Sequence, residues 1–316
     1  MGRNNFFRIL LLSICFLVFA FIISLKVGAV PGADSEIILQ LRLPRAILAL
    51  SLGMGLALAG ATLQAVFTNP LCEPYTLGIS SGAALGAIFG ISLGVSADYA
   101  GIAGFGFLGA LVFALILFLI SYRAQAGQLS LLLAGVMLGL LGSSLVAVWM
   151  ALADSNGIQG ALFWLMGDLS RARLKGTLIV FALRFNLFLF IWKRSLELDA
   201  LLMGEEGAQS LGVSVKNVRR RMILLTSILV GICVGSGGMI GFIGLIIPHL
   251  CRQWIGSLHY KLLPLCVIWG ATALILADTL SRVVASPYEL PVGVVTAIVG
   301  APFFIWIMLK RGEILA

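Results

Sequence analysis

The stretch RAILALSLGMGLALAGATLQAV, Arg45–Val66, decides the fold. After its leading arginine it runs to Val66 without another charged residue. A helix of this length, rising about 1.5 Å per residue, covers the ~30 Å hydrocarbon core of a bilayer. Gly53, Gly55 and Gly60, with the alanines around them, leave room for neighbouring helices to approach closely.

The same length test, applied outward along the chain, gives about ten segments: 7–27, 45–66, 78–95, 101–121, 129–151, 175–192, 221–240, 241–256, 262–281 and 292–310. Composition agrees. Of 316 residues 60% are hydrophobic and 11% charged, whereas a soluble globular chain carries about 25% charged residues. The expectation is an all-α, polytopic membrane protein of about ten transmembrane helices, one transmembrane domain over 1–316. The stretch before Leu25 has Arg3 and Arg8 ahead of an apolar run too long for a signal-peptide core, and reads as a retained first helix.

The net charge of +8 points to the bilayer rather than to nucleic acid, because Lys and Arg gather in the short connections. With the N-terminus inside, Arg123, Lys193, Arg194, Lys216, Arg219, Arg220, Arg221, Arg252, Lys261, Lys310 and Arg311 all fall on the cytoplasmic side. Both termini are then expected in the cytoplasm. Arg42, Arg45, Arg171, Arg173, Lys175 and Arg282 fall on the opposite face, against this bias. Either they meet a partner there or they pair locally at helix ends. Asp278 and Arg282, four apart, share a helix face and are predicted to pair.

The longest polar connection, 194–220, reads RSLELDALLMGEEGAQSLGVSVKNVRR. It is predicted to form two short amphipathic helices around a glycine turn. That is far more chain than a plain connection requires, so it is a candidate docking element for another protein. Gln64, Ser80 and Ser81 lie inside apolar segments, where they either face a pathway or serve helix packing. The five cysteines show no C-x-x-C pairing, and His249 and His259 are too sparse for a metal site. No catalytic constellation of His, Asp, Glu, Ser or Lys lies inside the helices. The acids Asp154, Asp168, Asp278 and Glu289 all sit near segment ends. An ion-coupled secondary transporter, the alternative reading, usually keeps ionisable groups near the midplane.

RLPR (Arg42–Arg45), AGATLQAVFTNPLCEPYTLGISSGAALGA (Ala59–Ala87), LLLAGV (Leu131–Val136), LFWLMGDLS (Leu162–Ser170), GEEGAQSLGV (Gly204–Val213), GMIGFIGLIIPHLCR (Gly238–Arg252), DTLSR (Asp278–Arg282) and ELPVGVVTAIVGAPFFIWIM (Glu289–Met308) follow one another in that order. Together they resemble the FecCD family of ABC-transporter permeases, which includes the cobalamin, haem and ferric-siderophore importers. Two departures are visible: Cys72 stands where the family usually has alanine, and GSLHY replaces its G-x-D-H-R.

The resemblance implies a cobalamin-importer-permease-like subunit of an inner-membrane homodimer. Two ATP-binding subunits would dock on the cytoplasmic side, and a periplasmic or lipid-anchored binding protein on the other. ATP and Mg would be used by the partner subunits, consistent with the lack of a G-x-x-x-x-G-K-[ST] loop here. The resemblance assigns Arg42, Arg45 and Arg282 to binding-protein docking. It assigns Gly204, Glu205, Glu206, Ala208, Leu211 and Gly212 to ATPase coupling.

Overall fold

The computed structural model describes residues 3–28, 34–93, 99–123, 128–153 and 155–315. Asp154 therefore lies outside the described residues. Everything regular among them is helical.

Helix α1 (Arg3–Lys26) runs along the outside. A short α2 (Ser35–Ile37) passes through a wider π-helical turn at Ile38–Arg42 straight into α3 (Leu43–Val66). Pro44 sits in the first turn of α3, where a missing N–H is tolerated. Helix α3 is the axis of the molecule: 89% of its most apolar window is buried, against 11% for α1.

Around α3 the chain forms two runs of four helices. The first is α3, α4 (Ile79–Ser92), α5 (Tyr99–Arg123) and α6 (Gln128–Leu152). Next come α7 (Ser155–Leu165), α8 (Leu174–Trp192), α9 (Ser195–Leu201) and α10 (Gly204–Ser210). The second run is α11 (Val215–Gly237), α12 (Ile243–Ile255), α13 (His259–Val283) and α14 (Val292–Leu315). The runs match in length, with 24, 14, 25 and 25 residues against 23, 13, 25 and 24. Their packing is exchanged: α12 and α13 lie on α3, while α4 and α5 lie on α11.

Small residues permit this. A methyl group added at Gly53 would fall 2.1 Å from the carbonyl oxygen of Gly270 on α13, and one at Gly60 would fall 1.9 Å from that of Gly244 on α12. Larger side chains there would separate the helices that define the core.

The segments 78–95 and 241–256 differ from expectation. They appear as α4 and α12, about 21 and 20 Å long at 1.5 Å per residue, short of the ~30 Å core. The loops before them pack into the bundle, with Phe67, Cys72 and Leu77 buried in the first and Ile240 in the second. Thr68 (φ 43°) and Gly78 (φ 70°) reverse the first, Gly238 (φ 73°) and Phe242 (φ 69°) the second. Gly238 must be glycine twice over, because a Cβ there would also lie 2.1 Å from the Trp164 carbonyl oxygen. Among the described residues, six helices are long and apolar enough to cross a membrane: α1, α2 continuous with α3, α5, α6, α8 and α13. The 221–240 segment starts earlier than expected, at Val215, so its first turns carry Lys216, Arg219, Arg220 and Arg221. The chain is a multi-pass membrane protein.

Candidate functional site

Helix α13 has its N-terminus at one end of the bundle and its C-terminus about 37 Å away at the other. The arginines assigned to docking and the residues of 194–220 assigned to coupling lie at these two ends.

At the far end the structure brings Arg42, Arg45 and Arg282 together. Arg45 Nε meets Asp278 Oδ1 at 2.8 Å, and its Nη1 meets Glu289 Oε2 at 2.6 Å. Arg282 Nε lies 3.2 Å from Asp278 Oδ2, the pairing predicted from their spacing. A helix leaves its last carbonyls without partners, and these carry partial negative charge. Arg42 and Arg282 are drawn to those of α1. Arg42 donates to the carbonyls of Leu25 (3.1 Å) and Lys26 (2.9 Å). Arg282 donates to those of Ser24 and Val27, both at 3.2 Å, and to Ser24 Oγ at 2.8 Å. These arginines are buried, at 7% and 3% exposure, so in this conformation they bind the end of α1 rather than display charge. Arg45, Asp168, Ser170, Arg171 and Glu289 line an open cavity of about 490 Å³ beside them. Arg171, Arg173 and Lys175 are exposed at the entry to α8.

At the near end, 194–220 forms the two short helices expected, α9 and α10, with Gly204 (φ 84°) and Gly212 (φ 77°) at the turns. Arg194 pairs with Glu197 at 2.7 Å. Asp199 accepts from the His259 backbone N–H at 2.9 Å and lies 2.6 Å from its ring Nδ1. The acid missing beside His259 in GSLHY is thus supplied from α9. On α10, Ala208 is buried and Glu205 holds Arg219 at 2.9 Å. Leu202, Met203 and Leu211 stand exposed at its ends, with Glu206 exposed beside them. A helical hairpin fastened by these pairs, with apolar side chains exposed at the ends of α10, offers a contact surface to another protein.

Arg184 escaped sequence reading. It lies within FALRFNLFLF (Phe181–Phe190) on α8 and is wholly buried. It donates to Ser51 Oγ on α3, and to Ser236 Oγ and the Ile232 carbonyl (3.0 Å) on α11. The usable signal was an arginine in the middle of an apolar span, which must find polar partners inside the bundle. This one joins α8, the helix that leads into α9 and α10, to the core.

Gln64 is buried and bonded. Its Nε2 donates to the Gly244 carbonyl at 3.2 Å, and its Oε1 accepts from Arg252 Nη1 at 2.5 Å. Ser80 is buried, and Ser81 Oγ lies 3.5 Å from Ser143 Oγ on α6. Of the two readings open for Gln64, its contacts favour helix packing. Among the described residues no group of three or more His, Cys, Asp or Glu is placed to hold a metal ion.

The chain matches the model of the FecCD transport family over residues 6–310. It is 38% identical over 280 residues to the hemin transport system permease protein HmuU of Yersinia pestis, covering 87% of this chain and 84% of that protein. It is 36% identical over 306 residues to the vitamin B12 import system permease protein BtuC of Vibrio vulnificus, covering 96% and 92%. A structure described as an inward-facing conformation of a metal-chelate type ABC transporter superposes with TM-score 0.89 at 34% identity, covering 96% of this chain and 99% of that one.

Proposed function

The chain belongs to the FecCD transport family and is an ABC-importer permease subunit, a transport component rather than an enzyme; from this premise we propose that it carries a bulky metal chelate, an iron chelate (siderophore or haem) or cobalamin, inward across the inner membrane. The matches to permeases named for haemin and vitamin B12 support that cargo class. The observation that carries the reading is the family match across nearly the whole chain, together with the α9–α10 hairpin where such a subunit needs an energy-coupling contact.

In this reading the chain crosses the membrane ten times, keeps both termini in the cytoplasm and pairs with a second copy of itself. Residues 194–220 form the cytoplasmic coupling loop within one permease domain. Two ATP-binding subunits contact Gly204, Glu205, Glu206, Ala208, Leu211 and Gly212, and they use the ATP and Mg. A binding protein docks at the arginine end. Because Arg42 and Arg282 are engaged with α1, Arg45 is the first contact there. A carboxylate of the binding protein replaces Glu289, the half-exposed member of its pair.

Affinity purification of the tagged chain, co-expressed with its ATP-binding subunit and binding protein, tests the assembly. The expected result is a complex holding two copies each of permease and ATPase. A chain that purifies alone from a host expressing all three would refute it.

A further inference from the structure

A proline inside a helix has no N–H to give to the carbonyl four residues before it. Inside the bundle such a carbonyl, as at buried Gly244, has no water to turn to and needs another donor; at a membrane edge, as at Tyr260, a protein donor competes with water. Helix α12 contains Pro248, which opens the carbonyl of Gly244. Helix α13 contains Pro264, which opens that of Tyr260. Both open carbonyls are filled by side chains from other helices. Gln64 Nε2 of α3 reaches Gly244 O at 3.2 Å, and Trp192 Nε1 of α8 reaches Tyr260 O at 2.9 Å.

The orientation of the Gln64 amide is fixed by its surroundings. Its other end accepts from Arg252 at 2.5 Å, and turning the amide over would set oxygen against the Gly244 oxygen and NH₂ against a guanidinium. Trp192 also stacks on the Tyr260 ring, centroids 5.4 Å apart. It is the last residue of α8, directly before the α9–α10 hairpin.

We propose that Gln64 and Trp192 are positioning residues for transport, each filling a carbonyl that a proline leaves open on a neighbouring helix. The first bond sets α12 against α3 beside the two inward-turning loops, where Pro74 approaches Gly244. The second fixes the base of the coupling hairpin to α13. Movement of the hairpin thus reaches α13 through Trp192, and α12 keeps its register on α3 through Gln64. The functional part rests on the importer reading, whereas the bonding part does not.

The test is a crossed set of variants of the full-length chain: Gln64→Leu, Trp192→Phe, Pro248→Ala and Pro264→Ala, alone and in all four glutamine-or-tryptophan with proline combinations. Alanine restores an N–H for the open carbonyl, so only matched pairs should rescue. Inter-helix hydrogen bonds in membrane proteins are worth roughly 3- to 20-fold in an equilibrium. Gln64→Leu and Trp192→Phe should each lower the thermal midpoint in detergent. Each should also lower ATP-driven uptake of haemin or cyanocobalamin per folded transporter, by about that factor.

Q64L/P248A and W192F/P264A should recover both quantities, whereas Q64L/P264A and W192F/P248A should not. Where Gln64→Leu fails to accumulate, Gln64→Glu keeps an acceptor for Arg252 and removes the amide donor, and Pro248→Ala should rescue it likewise. Additive losses in the matched pairs, or equal recovery in the mismatched ones, would overturn the proposal. Absence of uptake in the unmodified protein would count against the importer reading, while the thermal cycle would still decide the bonding.

Discussion

The two ends of the bundle use their charges in opposite ways. At the arginine end, Arg42, Arg45 and Arg282 meet Asp278, Glu289 and the terminal carbonyls of α1, so the charges of these three are consumed inside the chain. At the hairpin end, ion pairs tie Arg194 to Glu197 and Glu205 to Arg219, while Leu202, Met203 and Glu206 near the turn and Leu211 at the far end of α10 stay exposed. Internal pairing makes the first end a determinant of stability. In the proposed reading, the exposed apolar side chains of the second make it a determinant of coupling. Substitutions at the two ends should therefore divide into those that unfold the protein and those that leave it folded but idle.

The largest loss of stability is expected from Asp278→Ala. It removes the buried carboxylate that Arg45 and Arg282 share, leaving Arg45 with Glu289 and Arg282 with neutral partners only, and breaking a buried pair costs about 3–5 kcal/mol. Thermal unfolding in detergent checks this; a midpoint unchanged from the parent would dissolve the contrast between the ends. Arg184→Met should cost less, roughly 1–2 kcal/mol, because the partners left behind are neutral and keep bonds of their own. Ser51 Oγ already donates to Leu48 O at 3.1 Å, and Ser236 Oγ to Ile232 O at 2.6 Å. A loss as large as that of Asp278→Ala would mean that Arg184, not the arginine end, anchors the fold.

The smallest change in stability belongs to Leu211→Asp, within about 0.5 kcal/mol for an exposed site. It should nonetheless weaken capture of the ATP-binding subunit by at least about tenfold, since a charge would be forced against an apolar contact. Titration of the subunit onto the immobilised permease measures this, and unchanged affinity would move the coupling surface elsewhere.

The helices were legible because apolar length is written directly in the chain. So were the Asp278–Arg282 pair, four residues apart on one helix, and the hairpin, whose glycines and acids mark its turns. The carbonyls at the end of α1 that Arg42 and Arg282 also meet were not legible, because backbone acceptors have no residue type to identify them. Arg184 had a signal, but Ser51 and Ser236 lie far away in sequence and only packing brings them to it. The short α4 and α12 were overestimated as full spans because apolar composition continues through the inward-turning loops. The reversals at Thr68 and Phe242 are non-glycine positions in the left-handed region, which composition does not betray.

The central claim, that this permease works only with an ATP-binding subunit and a binding protein, is tested most directly in proteoliposomes. Uptake of haemin and of cyanocobalamin would be measured with the permease, the ATPase and the binding protein present together, and with each omitted in turn. The account predicts uptake of one probe that needs all three components and ATP, and that persists when proton and sodium gradients are collapsed. Uptake by the permease alone, driven by an ion gradient without ATP, would contradict it.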